Sequence, residues 1–268
     1  MIALDLDGTA LLPDHLTMSS GVQNALRKAY EKGIYVVPVT GRPYRLLPDC
    51  IGNHPGWESY GVLCNGADVR NFKTGETLSH WNLDPDALKK VLEIAVRYDI
   101  PVEFNSDGSL YLTNYSYKKE ILDPRMQFHC TDFIPKHGFL VDCLQNCCNR
   151  KVEKVHLNCI PETVLPSVTE ELSRLPICVV SEKPNNLEVT HPEATKGKAL
   201  KVLCSRLKVP MEKVMAIGDS GNDISMLEAV GLPVAMGTAP DFIKAIAGYV
   251  TSGNMEDGAA QAINHFIE

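Results

Sequence analysis

Met1-Ile2-Ala3-Leu4-Asp5-Leu6-Asp7-Gly8-Thr9 is an apolar run that stops at two carboxylates and a glycine. The run reads as a buried strand. Unpaired carboxylates buried at its end would cost roughly several kcal/mol each unless cations or hydrogen bonds compensate. Asp5 and Asp7 are two residues apart, so a continuing strand would point both to one side. Gly8 lets the backbone turn sharply off the strand axis. Two acids then stand at a strand's C-terminal mouth, where open α/β sheets hold their ligands. A polar Asp-Gly turn that merely ends a strand has the same local sequence, so the rest of the chain decides.

Three more junctions follow the same logic. Ile34–Val39 is an apolar strand ending at Thr40-Gly41-Arg42-Pro43, and Pro43 opens a helical pattern. A hydroxyl and a glycine at a strand-to-helix junction make an anion seat, because unpaired helix N–H groups point outward there. Ala194-Thr195-Lys196-Gly197-Lys198 leads into a helix marked by Leu200, Val202, Leu203 and Leu207. Lys213–Ile217 is a strand that ends at Gly218-Asp219-Ser220-Gly221-Asn222-Asp223, with a helix from Ile224. Between these lie a helix on Val22, Leu26 and Ala29, a strand Val62–Cys64 with the turn Asn65-Gly66-Ala67, and a strand Pro233–Gly237. Two short helices, about 241–247 and 257–266, finish the chain.

From about Asn82 the texture changes. Asp84-Pro85-Asp86 opens a helix through Leu88, Val91, Leu92, Ala95 and Val96; Val102–Phe104 and Leu110–Leu112 flank the hairpin turn Ser106-Asp107-Gly108. A strand Val155–Cys159, a helix Glu162–Leu175 and strands Ile177–Val180 and Leu187–Val189 follow. The fold class is thus α/β: a Rossmann-like parallel-sheet core of residues 1–81 plus 187–268, interrupted by an inserted α+β domain of residues 82–186.

At 268 residues, 44% hydrophobic and 22% charged, the chain has ordinary globular composition. Its net charge of −7, without a basic run, argues against nucleic acid. No apolar stretch approaches the roughly 20 residues that span a bilayer, and a strand starting at Met1 leaves no room for a leader, so a cytoplasmic protein is expected. The nine cysteines show no repeated Cys-x-x-Cys pair. A metal cluster at Cys143, Cys147 and Cys148 is set aside, since structural zinc usually shows two paired ligand spacings. The thiols read as small hydrophobes of a reduced protein.

The strand ends together supply the carboxylates Asp5, Asp7, Asp219 and Asp223, the Thr40 hydroxyl and the Lys196 ammonium. A hard divalent ion would neutralise the acids, and Mg²⁺ suits few carboxylates plus waters and a phosphate. A lysine and a hydroxyl beside such an ion are what a transferring phosphoryl group needs. In this order the four segments resemble the four motifs of the haloacid dehalogenase-like superfamily. The insertion size, Asn65-Gly66-Ala67 and Val234-Ala235-Met236-Gly237 resemble its Cof-type sugar-phosphate phosphatases. One departure is Ala10, where relatives usually carry a larger apolar residue.

The resemblance implies roles residue by residue. Asp5 is similar to the nucleophile that becomes an aspartyl phosphate, and Asp7 to the general acid and then base. Asp5, the Asp7 backbone carbonyl and Asp219 would hold Mg²⁺, with Asp223 supporting Asp219 or a bound water. Thr40, Gly41, Lys196 and Asn222 would bind the phosphoryl oxygens. Arg42 reaches either the substrate or the seam between core and insertion, the second being preferred, and Lys198 reads as a solvated helix charge. The resemblance makes the insertion of residues 82–186 a cap that selects the substrate, and there Arg125, Lys154, His156 and Glu182 are candidates for hydroxyl recognition, though each also fits an ordinary surface or seam position. No histidine shows a catalytic spacing. The expected partner is a small-molecule phosphate ester, with neither nucleic acid nor membrane, for a monomer or small homo-oligomer. A phosphomutase and a non-catalytic sugar-phosphate binder are the alternatives; the second has no need of a nucleophile and an acid together.

Overall fold

Ile2–Leu4 is a strand with every residue buried, and parallel neighbours flank it on both sides. In the computed structural model, which describes residues 1–52, 60–181 and 185–267, it sits in a five-stranded sheet. The order is Tyr249–Val250, Leu232–Ala235, Met215–Gly218, Ile2–Leu4, Val36–Pro38, all pairs parallel. A parallel strand covered on both faces must be apolar at every position. Ile2 and Leu4 enter one core with Val22, Leu26, Ile217 and Ile263. Ala3, between them, enters another with Val37, Leu200, Leu203 and Ala216.

The helix Ser20–Glu31 starts where Ser19 caps it, its side chain accepting from Val22 N at 3.1 Å. It buries Val22, Ala25, Leu26 and Ala29, the spacing of a single apolar stripe. The helix Lys196–Leu207 is capped by Thr195. At its second residue, Gly197, a Cβ would lie 2.0 Å from the Ser225 carbonyl oxygen, so only glycine lets the helix start this close to Ile224–Leu227. The strand expected at Val62–Cys64 is Tyr60–Leu63, and it joins an antiparallel sheet with Asp68–Asn71 and Thr77–His80. The helix expected from Pro43 is only a turn at Tyr44–Leu46, because Pro48 disfavours helical backbone at the residue before it.

The chain divides into two compact units: Met1–Arg42, Leu47–His80 and Thr195–Glu268 form one, Pro43–Leu46 and Trp81–Ala194 the other. The return to the first unit therefore lies at 195 and not at 187. Leu187–Thr190 is paired on both sides within the second unit, which holds residues 187–194 in that unit. The second unit is built on a six-stranded sheet, ordered Cys178–Val180, Leu187–Thr190, Val152–Leu157, Val102–Ser106, Ser109–Thr113, Gly138–Val141. One face packs Val102, Phe104, Val155, Leu157 and Val189 against the helices Pro85–Arg97 and Leu165–Ser173. Strand alternation sends Glu103, Asn105, Lys154, His156 and Glu188 to the opposite face. The Lys154 candidate is thus no surface residue: it is 1% exposed and its ammonium pairs with Glu188. Glu182 lies outside the described residues. The described cysteines are all free thiols. Among the described residues no helix is long and apolar enough to cross a membrane.

Two stability measurements follow from this packing. Phe104 is fully buried and stacks on Tyr111 with ring centroids 5.3 Å apart. Phe104→Ala should cost about 3–5 kcal/mol in urea unfolding of the second unit; an unchanged midpoint would mean that this face is not its core. His156 places Nε2 3.0 Å from Asn105 Oδ1 and Nδ1 3.5 Å from Glu188 Oε1. Burial first, and then the Lys154 ammonium, lower its pKa to about 4. Between pH 4 and 6.5 the unfolded chain binds a proton that the folded imidazole refuses, so stability falls as pH drops through that window. The loss should be at most about 3 kcal/mol, and His156→Gln should flatten it in thermal melts taken across the range.

Candidate active site

The Asp5 N–H still donates to the Ile217 carbonyl at 3.0 Å, so the sheet fixes its backbone while its carboxylate is buried. Lys196, the first residue of its helix, reaches this carboxylate from the far end of the sequence. Its Nζ lies 2.7 Å from Asp5 Oδ1 and 2.6 Å from Asp223 Oδ1, and the side chain is 0% exposed. Asp223 Oδ2 accepts from the backbone N–H groups of Asp219 and Ser220 at 2.9 and 3.0 Å. Both Asp223 oxygens are therefore engaged in holding the Gly218–Asp223 loop and the lysine.

Asp219 is oriented from the N-terminal turn. The Thr9 hydroxyl donates to its Oδ1 at 3.0 Å. Gly8 has φ +76, and a Cβ there would stand 2.5 Å from Asp219 Oδ2, so glycine is required both by the backbone and by the approaching acid. Asp5, Asp219 and Asp223 each offer an oxygen within 4.8 Å of the other two. Burial first raises the Asp5 carboxyl well above its ordinary value; Lys196 opposes this, and Asp223 and Asp219 add to it. For Lys196, burial works against the charge, but Asp223 and Asp5 more than offset it and raise the ammonium. Three acids around one ammonium leave an excess of negative charge on oxygen donors alone. Such a set fits a hard divalent cation.

Asp7 is held differently. Arg42 donates Nε to Asp7 Oδ2 at 2.8 Å and Nη2 to Oδ1 at 2.6 Å, a two-pronged pair, and His15 Nδ1 lies 2.6 Å from Oδ1. Arg42 Nη2 also donates to the His15 carbonyl at 2.8 Å. Burial alone would raise the Asp7 carboxyl, but Arg42 and His15 hold it well below the usual carboxylate range. Thr40 is buried, its N–H bonded to the Val62 carbonyl and its Oγ1 accepting from Arg42 N at 3.1 Å, with Gly41 between them. Asn222 donates Nδ2 to Asn65 Oδ1 at 3.3 Å and accepts from Ser220 Oγ at 2.8 Å.

Asp5, Lys196, Asp219 and Asp223 thus form one contiguous cluster, with Asp7 two residues from Asp5. Lys198 is on the exposed side of its helix. Sequence reading missed Thr9, His15 and Asn65, and it did not anticipate that the Arg42 guanidinium binds Asp7. Asn65 had a signal: its left-handed φ of 56 is the conformation that an Asn-Gly turn announces. His15 sits on an irregular loop and carries no periodicity that could have flagged it.

The family model described as haloacid dehalogenase-like hydrolase matches residues 2–263. The 5-amino-6-(5-phospho-D-ribitylamino)uracil phosphatase YcsE of Bacillus subtilis is 30% identical, over 100% of this chain and 95% of its own. The phosphatase YwpJ of Bacillus subtilis is 29% identical, over 100% of this chain and 99% of its own. A solved haloacid dehalogenase-like hydrolase from B. subtilis superposes with a TM-score of 0.87 at 28% identity, covering 99% of each chain. The chain belongs to the haloacid dehalogenase-like hydrolases, and within them it is a phosphatase.

Proposed function

We propose that the chain hydrolyses small phosphorylated metabolites, sugar or polyol phosphates foremost, with Mg²⁺ and through an aspartyl phosphate on Asp5. The observation that carries this reading is the buried Lys196 ammonium shared by Asp5 and Asp223 beside Asp219. A similar protein's name supports the substrate class, since that phosphatase acts on a 5-phospho-D-ribityl compound.

Asp5, Asp219 and the Asp7 backbone carbonyl would hold Mg²⁺, with Asp223 bracing Asp219 from behind. Bound there, the ion supplies positive charge to the phosphoryl oxygens as negative charge builds on them. Lys196, the Thr40 hydroxyl, the Gly41 backbone and the Asn222 amide would hold the remaining phosphoryl oxygens. An Asp5 oxygen attacks phosphorus, the ester P–O bond breaks, and the leaving alkoxide takes a proton from Asp7. Water then attacks the aspartyl phosphate and gives its proton to Asp7, and the P–O bond to Asp5 breaks to release phosphate. To act as an acid, Asp7 must be released from Arg42. A phosphoryl dianion beside it favours this, because the dianion competes for the guanidinium and raises the Asp7 carboxyl.

A phosphate-release assay over sugar phosphates, nucleotides and cofactor phosphates with Mg²⁺ tests the class; release from no sugar or polyol phosphate would overturn it. Lys196→Met should leave buried carboxylates without their ammonium and cost roughly 3–5 kcal/mol in metal-free thermal unfolding. Mg²⁺ should recover part of that loss, and it should stabilise Asp219→Asn less than wild type. Equal stabilisation of Asp219→Asn and wild type would remove Asp219 from the ligands. For the chemistry, Asp7→Asn should fail on sugar phosphates, whose alkoxides leave poorly without a proton. With an aryl phosphate it should give a burst of about one phenolate per site and then slow turnover. Asp5→Asn should give no burst; a burst from it would reverse the two roles.

A further inference from the structure

The second unit holds another cluster of ionisable side chains, independent of Asp5 and its neighbours. Glu103 lies in the strand Val102–Ser106, Glu120 ends the helix Asn114–Glu120, and His129 opens the segment His129–Phe133. These three elements converge so that each residue offers a ligating atom within 4.8 Å of the other two. Glu103 and Glu120 are 1% and 0% exposed. His129 Nε2 lies 2.7 Å from Glu103 Oε1. Asn158 Nδ2 donates to Glu120 Oε1 at 3.1 Å, whereas the buried Glu120 Oε2 accepts from no N–H or hydroxyl donor, its carboxyl lying against that of Glu103.

A carboxylate oxygen sealed from water without a donor is costly, and a second carboxylate beside it adds repulsion. The Lys154 ammonium of the same sheet face is already committed to Glu188. A cavity of about 90 Å³ adjoins the cluster, lined among others by Glu103, His129, His156 and Asn158. It provides a way in and room for water. Two donor atoms about 2.1 Å from one tetrahedral ion are separated by roughly 3.4 Å, so His129 Nε2 and Glu103 Oε1, hydrogen-bonded at 2.7 Å, would part slightly to admit it.

We infer that Glu103, Glu120 and His129 bind a transition-metal dication of the Zn²⁺ class. A mixed imidazole and carboxylate set suits such an ion better than Mg²⁺, which prefers oxygen donors and keeps its waters. The Asn158 amide holds Glu120 Oε1 and leaves Oε2 for the ion, while His129 Nε2, which donates to Glu103 in the metal-free protein, would give up that hydrogen on binding and offer its lone pair. The ion ties a strand, a helix end and a loop segment of the second unit together. The competing occupant is a single proton shared by the two carboxyl groups.

Zn²⁺ binding to the full chain separates these occupants. In an Asp219→Asn background, which weakens the core acidic cluster, metal-stripped protein is dialysed against Zn²⁺ at neutral pH with excess Mg²⁺. One bound Zn²⁺ per chain is expected, with affinity reduced at least about tenfold by adding either Glu120→Gln or His129→Asn. Glu120→Gln is isosteric and His129 is partly exposed, and metal-free melting curves check that both variants fold. Zn²⁺ should also raise the melting temperature of the parent and not that of Glu120→Gln. Absence of bound Zn²⁺, or unchanged Zn²⁺ binding in both variants, would overturn the site. So would a parent whose melting temperature ignores Zn²⁺ while Glu120→Gln melts higher without metal, the signature of a shared proton.

Discussion

The Lys196 ammonium sits between two sealed carboxylates, and much of the first unit exists to put it there. Its Nζ is joined to residues that lie far from it in the chain, one after the first strand and one after the strand Met215–Gly218. Gly197 lets its helix start against Ile224–Leu227, and Thr195 caps that start. Desolvating an ammonium and two carboxylates is unfavourable, and only mutual attraction and the backbone donors on Asp223 offset it. Such an arrangement fixes geometry more than it adds stability. That suits a site whose charges must already be in place when a phosphoryl group arrives.

Much of this was legible because parallel strands announce themselves. Ile2–Leu4, Val36–Pro38 and Met215–Gly218 are apolar at every position, and the acids that break the first and third runs, Asp5 and Asp219, meet at the site. Asp5, Asp219 and Asp223 could be read from the ends of core strands, and Lys196 from the start of a helix. His15 and Arg42 could not be read so, because their partnership with Asp7 depends on where an irregular loop returns, and no period encodes that path. The boundary near 187 misled for a related reason. Leu187–Val189 has the same composition whether it opens a core strand or closes an inserted sheet, and only its pairing with Val152–Leu157 decides.

The second unit inverts the usual expectation for a half-buried sheet. Its alternation is clean, yet Glu103, Asn105, Lys154 and Glu188 on the polar face are as buried as Phe104 and Val155 on the apolar one. Alternation in sequence reports which residues share a face and not whether water reaches it. Sequence could therefore name Lys154 and His156 as candidates for hydroxyl recognition without showing that Lys154 is sealed in, while Glu103, Glu120 and His129 drew no attention at all.

The central position of Ile2–Leu4 carries a consequence for how the protein is made. Ribosomal synthesis produces this strand roughly two hundred residues before its partner on one side, Met215–Gly218. Until then one edge of a wholly apolar strand has nothing to pair with, and such edges invite association with other chains. Closing the sheet joins residues more than two hundred positions apart, and pairings of that span slow folding. Over that stretch of elongation the helix Ser20–Glu31, whose apolar stripe shares a core with Ile2 and Leu4, is the segment at hand to cover that strand.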